Sequence, residues 1–481
     1  MKRSLLLLCT LVALTSPAAR ADVGVDVRRI LGDPFLAHAK RGVMLVRLDR
    51  GAAATLFEDH AALPLVPASN LKLITTSAAM QTLGAAFQFQ TRLLQHGDDL
   101  VLIGDGDPSF GDAEYLKKFN WTTRTVFQAW ATALAKRGVG PVHRLLVDDS
   151  VFDDQFLNPN WPADQEQKRY VAEVAGMNLN TNCVDFYIKP QDSGRIVRFL
   201  TDPPSNYFTV KDTCVSGDDN SIWLSREPGT NDLLLRGTAS EENDVPVSVT
   251  LHDPPMFAAT VLAETLSAAG ISVGAVERER TARLQYESDH AGWTLLATHK
   301  TPLTAVMARA NKDSMNLYAE CCCKRLGFAV SGEGSWANGT AAVGSFLRGI
   351  GVPAEQFHLD DGCGLSKENA ISANLMIHVL EHDFYSTNSQ AFMDTMAVAG
   401  VDGTMEARFR GTDLRERVHA KSGFVNGVSC LSGYLHGRDG GWYAFAILFN
   451  DVPAGGTSQA KAIEERIVRA VDADSTKRSG N

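Results

Sequence analysis

The chain has 481 residues, of which 44% are hydrophobic, and a formal net charge of −10 at pH 7. An acidic chain of this kind is a poor nucleic-acid binder, because phosphate contacts require clustered lysine and arginine. The length allows a substantial hydrophobic core and predicts two or three domains.

The first 21 residues have the pattern of a secretory signal peptide. Lys2 and Arg3 precede a short apolar stretch that ends near Leu14, and Ala19-Arg20-Ala21 supplies small residues for cleavage. The apolar stretch is too short to span a bilayer, although a retained N-terminal anchor is the alternative. We therefore expect cleavage after Ala21, a mature chain that begins at Asp22, and export to the periplasm.

The predicted elements form an α/β pattern with an interruption. A strand at 43–48 is followed by a helix that starts at Ser69 and stops at Gly84. Between Thr91 and Ala297, short strands and helices rich in Gly, Pro and Asp are typical of smaller α+β modules set into a larger domain. The strands expected there are 100–103, 144–147 and 231–236, and the helices are 124–136 and 255–269. Next come single helices at 303–326 and 339–349, strands at 428–434 and 442–450, and a closing helix at 459–471.

Three short motifs occur in order along the chain. They are Ser69-Asn70-Leu71-Lys72, Ser314-Met315-Asn316 and Lys421-Ser422-Gly423. Ser-x-x-Lys alone is a weak signal, and Ser458-Gln459-Ala460-Lys461 also matches it. That second copy has neither partner motif after it, so we interpret it as a solvated helix face. The first copy, followed by both partner motifs, predicts a serine nucleophile at Ser69.

The chemistry of these residues is coherent. Residues i and i+3 share a helix face, so Lys72 can reach the Ser69 hydroxyl and take its proton. An amine can act as a base only if its pKa falls, which burial and a neighbouring cation such as Lys421 both accomplish. Ser314 can relay a proton toward the leaving amine, and Asn316 can hold a substrate amide.

The third motif predicts the start of an edge strand on which a peptide can lie. Gly423 leaves room for close approach, and the Ser422 hydroxyl can bind a terminal carboxylate together with Lys421. The backbone N–H groups of Ser69, at a helix start, and of Phe424 are the expected oxyanion donors.

The chain resembles the class C, low-molecular-mass penicillin-binding proteins, the D-alanyl-D-alanine carboxypeptidase/endopeptidase family of the penicillin-binding protein 4 type. The resemblance covers nearly the whole mature chain in family order. Besides the three motifs, its blocks are Pro67-Ala68, Gly104-Asp105-Gly106-Asp107-Pro108, the flanks of the second motif within Asn311–Glu320, Asp361-Gly362-Cys363-Gly364-Leu365-Ser366, Gly403-Thr404, Ala420 and Leu431-Ser432-Gly433-Tyr434.

The resemblance implies an α/β fold in which a split serine β-lactamase-like or penicillin-binding-protein-like catalytic domain contains two nested smaller domains. We assign 1–21 to the signal peptide, 22–92 and 296–481 to the catalytic domain, and 93–295 to the insertion. The implied substrates are peptidoglycan stem peptides, with β-lactam antibiotics as acylating inhibitors and with no metal or cofactor. The alternatives are a β-lactamase or esterase that uses the same motifs, and a non-catalytic peptidoglycan-binding relative.

Several residues depart from the family pattern. Ser422 replaces the usual threonine and keeps its hydroxyl, while Met315 stands where a polar residue is usual. Cys363 replaces a serine, and Lys367 stands where arginine is frequent. None of these changes removes a catalytic group.

The resemblance also implies that an acid in the insertion recognises the substrate. Asp148 follows the strand at 144–147, and we expect it to face the cleft and bind the free amine of a diaminopimelate side chain. Lys367 would address the neighbouring carboxylate. The alternative for Asp148 is a turn-capping role, since Asp is common wherever chains turn.

Other patterns favour ordinary structural roles. His378-Val379-Leu380-Glu381-His382 fits a zinc-peptidase pattern but lacks an identified third ligand. Asp105 and Asp107 are interpreted as turn residues rather than calcium ligands. Cys321-Cys322-Cys323 lies on a predicted helix, where consecutive residues cannot share one tetrahedral metal site.

Seven cysteines remain after the signal peptide, so at least one of them is unpaired. Cys183 and Cys214 lie in one stretch of the chain and are candidates for a disulfide, which the sequence leaves open. All seven are expected to be structural: Cys183, Cys214, Cys321, Cys322, Cys323, Cys363 and Cys430.

Overall fold

The structure, a computed structural model, describes residues 23–49 and 51–479. The predicted signal peptide and its cleavage site lie outside these residues. The helices are α1 (Val23–Leu31), α2 (Leu71–Leu83), α3 (Ala113–Leu116), α4 (Thr125–Lys136), α5 (Pro254–Ala268), α6 (Ala282–Ser288), α7 (Leu303–Lys312), α8 (Asn316–Ser331), α9 (Trp336–Gly349), α10 (Ala373–Tyr385), α11 (Ser389–Met393) and α12 (Thr457–Ser479). Among the described helices, none is both long and apolar enough to cross a membrane.

The strands are distributed over several sheets. They are β1 (Lys40–Asp49), β2 (Ala52–Asp59), β3 (Gln88–His96), β4 (Asp99–Ile103), β5 (Val142–Asp148), β6 (Cys183–Lys189), β7 (Arg198–Asp202), β8 (Thr209–Asp212), β9 (Val215–Ser216), β10 (Trp223–Arg226), β11 (Asp232–Arg236), β12 (Thr238–Ala239), β13 (Val247–Thr250), β14 (Val273–Arg278), β15 (Trp293–Pro302), β16 (Phe357–His358), β17 (Ala370–Ile371), β18 (Ala397–Val398), β19 (Val418–Val425), β20 (Val428–His436) and β21 (Trp442–Asn450).

A six-stranded antiparallel sheet forms the centre of the catalytic domain, in the order β18-β19-β20-β21-β1-β2. Successive residues of a strand point to opposite faces, and β1 shows this alternation clearly. Met44 and Val46 pack into the core beneath α2, α8 and α10, while Val43 and Leu45 pack with α1 and α12. The sheet therefore lies between two layers of helices, as expected for this class of α/β domain.

The insertion is built around a five-stranded sheet in the order β14-β5-β4-β3-β15. Strand β3 pairs antiparallel with β15 from Gln88 opposite Pro302 to His96 opposite Trp293. This pairing closes the module, so the sheet extends a few residues beyond the limits of 93 and 295 that we predicted. A second, smaller module with three short sheets lies within it, between Cys183 and Thr250.

The helix predicted over 303–326 is wrong in one respect, since the chain forms two helices there. Helix α7 ends at Lys312, α8 begins at Asn316, and Ser314 between them has φ 59°. Such a backbone conformation is uncommon for a residue other than glycine. Arg309 of α7 binds Asp313 at 2.7 Å in this break. The helical pattern on either side is set by neighbouring residues. Ser314, in the break, contacts Lys421 of the distant strand β19.

All seven cysteines in the described part of the chain are free and buried. The candidate disulfide between Cys183 and Cys214 is therefore not formed. The Cys183 thiol instead lies 3.4 Å from the Thr181 carbonyl oxygen, and burial raises its pKa to about 12. The Cys321-Cys322-Cys323 run is fully buried on α8, which confirms the structural interpretation.

Candidate active site

Ser69 lies in a short 3₁₀ turn, Ala68–Asn70, that leads directly into α2. The preceding Ala68 has φ 46°, a left-handed conformation that is strained for a residue with a side chain. The turn leaves Ser69 partly exposed, while Lys72 one helical turn later is completely buried. The nucleophile candidate is therefore accessible to substrate and its neighbouring amine is not.

The Lys72 amine connects three separate parts of the chain. Its Nζ lies 2.8 Å from Ser69 Oγ, 2.7 Å from Asn316 Oδ1 and 2.8 Å from the Cys363 carbonyl oxygen. The spacing of the first motif thus places its serine and lysine together, as predicted, and Asn316 of the second motif joins them. All three contacts are with neutral oxygen atoms.

The third motif brings a second buried amine to the site. Lys421 Nζ lies 2.9 Å from Ser314 Oγ and 2.8 Å from the Ser422 carbonyl oxygen. Lys421 is fully buried on β19, and Ser314 occupies the break between α7 and α8. The three motifs, separated by hundreds of residues in sequence, therefore meet at one place.

Burial changes the proton affinity of both lysines. It lowers the pKa of Lys72 below its ordinary value, while electrostatic interactions with Cys363, Asp361 and Glu320 raise this pKa. It also lowers the pKa of Lys421 well below its ordinary value, and the charge of Lys72 adds to this effect. Repulsion between the two amines is mutual, so the pair holds its second proton weakly. A neutral amine beside Ser69 is the form that can accept its proton.

Gly423 allows β19 to approach the start of α2 very closely. A Cβ atom at this position would lie 2.8 Å from the Pro67 carbonyl oxygen and 3.2 Å from Asn70 N. A side chain larger than hydrogen would therefore push the strand away from the nucleophile turn. The close approach observed is that of the protein's own Pro67–Asn70 turn. The close approach of a substrate peptide at Gly423 stays a prediction.

Beyond His419 and Ala420, which pair with β18, strand β19 pairs only with β20 among the described strands. One edge of the strand beside Ser422, Gly423 and Phe424 is thus open for an extended peptide. Phe424, on this open edge, is 54% exposed. The oxyanion role of the Ser69 and Phe424 backbone N–H groups stays a prediction.

The loop between β16 and β17 packs against the Ala68–Asn70 turn that carries Ser69. Gly364 has φ 83°, and a Cβ atom there would lie 1.9 Å from the Ala68 carbonyl oxygen. Asp361 accepts hydrogen bonds from the Gly364 and Ser366 N–H groups, both at 2.7 Å. The loop is therefore held in the shape that presents the Cys363 carbonyl to Lys72.

Two residues near the site were missed by sequence reasoning as functional neighbours. Glu320 is fully buried, and its carboxylate accepts hydrogen bonds from Gly362 N at 3.0 Å and Trp336 Nε1 at 2.7 Å. Burial, reinforced by the charge of Asp361, raises the pKa of Glu320 to about 7. The Tyr170 carbonyl oxygen, from the insertion, accepts a hydrogen bond from Asn316 Nδ2 at 2.8 Å. Glu320 belongs to one of the sequence segments that carry the family resemblance, Asn311–Glu320, whereas no sequence pattern pointed to Tyr170.

The substrate-binding role expected of Asp148 is wrong. Its side chain is completely buried, with Oδ1 accepting from Ser150 N at 2.8 Å and Oδ2 accepting from Arg283 N at 2.6 Å. Oδ1 thus fixes the turn after β5, which is the capping alternative, and Oδ2 connects this turn to the start of α6. Lys367 is on the surface, with its Nζ 3.3 Å from the Asn426 carbonyl oxygen at the β19–β20 turn. Its role toward a substrate carboxylate stays a prediction.

The His378 and His382 pair on α10 gains no third ligand in the described residues. Elsewhere in the described residues, three buried side chains that could bind a metal lie close together: Glu320, Asp361 and Cys363. The two carboxylates among them already accept hydrogen bonds from backbone and indole groups. His378 Nδ1 lies 2.9 Å from the Asn374 carbonyl oxygen, one turn earlier on its helix.

The two acids of the Gly104–Pro108 segment have different partners. Asp105 lies 3.2 Å from Arg325 Nε of α8 and so connects the insertion to the catalytic domain, whereas Asp107 accepts a hydrogen bond from Thr301 Oγ1 of β15 at 2.6 Å. Asp107 also accepts a hydrogen bond from Ser109 N at 2.9 Å, two residues along the chain, as expected for a turn residue. The second Ser-x-x-Lys copy lies at the beginning of α12, where Ser458 is exposed, as expected for a helix surface.

The family of the chain is decided by a match over residues 24–473 to the description "D-Ala-D-Ala carboxypeptidase 3 (S13) family". The chain belongs to this family. It is accordingly a serine-type D-Ala-D-Ala carboxypeptidase with the penicillin-binding α/β fold, as the motif order and the resemblance predicted.

Two curated relatives align along most of the chain. The D-alanyl-D-alanine carboxypeptidase of Actinomadura sp. strain R39 is 29% identical over 461 residues, which cover 90% of this chain and 82% of the relative. D-alanyl-D-alanine carboxypeptidase DacB of Haemophilus influenzae is 25% identical, with 81% of each chain covered. The crystal structure of penicillin binding protein 4 from H. influenzae matches the fold with a TM-score of 0.74 at 21% identity, covering 93% of this chain and 99% of that one.

Proposed function

We propose that Ser69 is the acylated nucleophile of this carboxypeptidase and that Lys72 is its base. The observation that supports this most directly is the arrangement of two buried amines close to one accessible serine. Within the described residues, the hydrogen-bond partners of both amines are neutral oxygen atoms. In the part of the chain that the structure describes, no carboxylate is in contact with Lys72 or Lys421 to hold it permanently charged. Each amine can therefore lose and regain a proton during a reaction cycle.

The acylation step follows from this geometry. Ser69 Oγ attacks the carbonyl carbon of the penultimate D-alanine as Lys72 takes the hydroxyl proton. The carbonyl oxygen becomes an oxyanion, which the backbone N–H groups of Ser69 and Phe424 stabilise. When the intermediate collapses, the C–N bond breaks and the terminal D-alanine leaves as an amine. Ser314, in contact with Lys421, relays the proton that this amine requires.

The remaining groups hold the substrate while the bonds change. Lys421 and the Ser422 hydroxyl bind the terminal carboxylate, and Asn316 holds the amide of the substrate backbone. The peptide lies along the open edge of β19 beside Gly423. A water molecule, activated by the neutral Lys72 amine, then hydrolyses the acyl-enzyme and restores Ser69.

The same acyl transfer can open cross-links between stem peptides. In both reactions the acyl group on Ser69 ends in the same D-alanine, and only the leaving amine differs. In this proposal the exposed Lys367, whose Nζ lies 3.3 Å from the Asn426 carbonyl oxygen, binds a carboxylate of the longer leaving group. A D,D-endopeptidase activity, exercised after export through the N-terminal signal peptide, is part of the proposal.

The test combines covalent labelling with peptide hydrolysis. A fluorescent penicillin should label the wild-type protein, and Ser69→Ala should lose both labelling and D-alanine release from a pentapeptide. Ser458→Ala, which changes the second motif copy, is the matched control and should behave as wild type. Labelling that persists in folded Ser69→Ala would contradict the assignment. Rapid turnover of the penicillin with no release of D-alanine would favour a β-lactamase instead.

A further inference from the structure

A pocket of about 440 Å³ lies where the insertion meets the start of α7, apart from the Ser69 cluster. The turn after α3 forms one side of it, and the end of β15 with the first residues of α7 forms the other. The proposed mechanism uses none of its residues. The side chains that define its chemistry are Tyr115, Lys118, Phe119, Trp121, His299 and Lys300.

The aromatic rings of this pocket are unusually accessible. Phe119 is 48% exposed and Trp121 is 42% exposed, and their ring centroids lie 5.6 Å apart at an angle of 42°. Tyr115 contacts Phe119 edge-on at 5.7 Å. Adjacent exposed rings of this kind usually mark a binding surface. The C–H groups of a sugar ring can pack on such faces, because the face of an aromatic ring is electron-rich.

The charges of the pocket select a ligand with carbonyl or carboxylate groups. Lys118 and Lys300 line it, and the described lining residues include no Asp or Glu, although the chain as a whole has a net charge of −10. Lys118 Nζ lies 4.0 Å from the Tyr115 ring centroid and 5.0 Å from that of Phe119, so a cation borders the aromatic faces. A sugar that bears acetamido and carboxyl-derived groups matches both features.

The pocket is connected to the active site by one face of α7. Ala305 lines the pocket, Arg309 lies one turn further along the same face, and Arg309 binds Asp313 beside Ser314. The ten residues of α7 span about 15 Å. Four stem-peptide residues between a sugar and the scissile D-alanine span about 14 Å when extended. The length of α7 is therefore similar to the reach of such a stem peptide. One substrate can place its sugar in the pocket and its scissile bond at the active site at the same time.

We propose that this pocket binds an N-acetylated sugar of the peptidoglycan glycan strand and so positions the attached stem peptide for Ser69. The inference rests on the proposed function, because it assumes that the substrate is a peptide still attached to glycan. It assigns to the insertion a direct role in recognising the polymer, with Trp121 and Phe119 as stacking residues and Lys118 as the polar contact.

The first test measures binding without catalysis. The full-length Ser69→Ala protein is sedimented with purified sacculi and titrated with chitotetraose, an N-acetylglucosamine oligomer that lacks peptide. Adding Trp121→Ala should weaken both interactions about tenfold, and Lys118→Glu should weaken sacculus binding. Trp223→Ala is the matched control, because Trp223 is 41% exposed on the nested module outside this pocket. Equal binding by folded Trp121→Ala and Trp223→Ala would overturn the proposal.

The second test measures catalysis and separates the two proposals. In a protein with intact Ser69, Trp121→Ala should lower the ratio of kcat/KM on a disaccharide pentapeptide to kcat/KM on the free pentapeptide about tenfold. An unchanged ratio would overturn the glycan-binding role. If the wild-type protein released D-alanine from neither substrate, the proposed function would fail, while the binding experiment would still decide the role of the pocket.

Discussion

The catalytic centre and the insertion both contain buried charged groups, but these groups contact different partners. In the centre, Lys72 and Lys421 contact hydroxyl, amide and carbonyl oxygen atoms. In the insertion, Asp149 forms a two-point contact with Arg278 at 2.6 and 3.0 Å, and both oxygens of Asp148 accept backbone N–H groups. These two buried acids of the insertion are thus compensated, whereas neither amine of the centre has a carboxylate in contact among the residues that the structure describes.

The difference shows how burial can serve two purposes in one chain. A buried ion that is paired or fully hydrogen-bonded keeps its charge and fixes the surrounding structure. A buried amine with neutral partners is driven toward its neutral form, which is the form a base needs. We therefore expect substitutions of the buried amines in the centre to change chemistry and substitutions of these buried acids in the insertion to change stability.

The largest effect is expected from Lys72→Arg. An arginine stays protonated at any pH at which the protein is folded, so it cannot take the Ser69 proton. The rate of penicillin acylation should fall at least about a thousandfold, as measured by stopped-flow labelling. Lys461→Arg, in the second motif copy, should leave the rate unchanged. Near wild-type acylation by Lys72→Arg would mean that another group is the base.

The next largest effect concerns Asp383 on α10, a buried acid of the catalytic domain. Burial raises its pKa from 3.8 to about 7, although interactions with the Ser77 and Gln81 side chains favour the charged form and lower the pKa. Because the folded state holds this proton more tightly than the unfolded state, the contribution to stability is complete below about pH 4 and is lost as the pH rises to about 7. An asparagine does not titrate, so Asp383→Asn does not lose stability in this way. As the pH rises from about 4 to about 7, its free energy of unfolding should therefore increase relative to that of wild type by up to about 4 kcal/mol.

Urea denaturation at pH 4, 5, 6 and 7 measures this difference directly. Asp192→Asn is a suitable control, since the Asp192 side chain is 87% exposed. A constant difference between Asp383→Asn and wild type at all four pH values would show that Asp383 keeps an ordinary pKa.

Gly423→Ala tests the close packing of the centre. The added methyl group meets the Pro67 carbonyl oxygen and must displace β19 from the start of α2. A displacement of about 1 Å between reacting groups costs about a hundredfold in rate, so penicillin acylation should fall by that order. Gly349→Ala is the control, because a Cβ atom there meets nothing within 4 Å. Wild-type acylation by Gly423→Ala would show that the strand position is not critical.

The smallest effect on chemistry is expected from Asp148→Ala in the insertion. Removal of the carboxylate leaves two backbone N–H groups without their partner and should lower the free energy of unfolding by about 1 to 3 kcal/mol. Any change in kcat/KM should be the same for stem peptides with and without a free side-chain amine. A selective loss on the substrate with the amine would restore the substrate-binding role and contradict the capping role.

Local patterns were sufficient to predict most of the elements and to find the three motifs that meet in the structure. The strand predicted at 43–48 is the centre of β1, and the helix predicted from Ser69 to Gly84 corresponds to the nucleophile turn and α2. Alternation with a period of two and helical spacing are properties of neighbouring residues, so they are visible without a fold. The serine and lysine at i and i+3 belong to the same category, since one helical turn brings them together.

Three features depended on contacts between distant segments. The break at Ser314 is bound by Lys421 of β19, the Tyr170 carbonyl reaches Asn316 from the insertion, and Asp148 Oδ2 accepts a hydrogen bond from the distant Arg283 N. Each partner lies where the fold places it, and no local periodicity reports that position. The sequence by itself therefore determined which residue types are available for catalysis and how they are spaced within each element. Only the tertiary structure decided which of them are buried, which partners they contact and, through burial, which protons they can exchange.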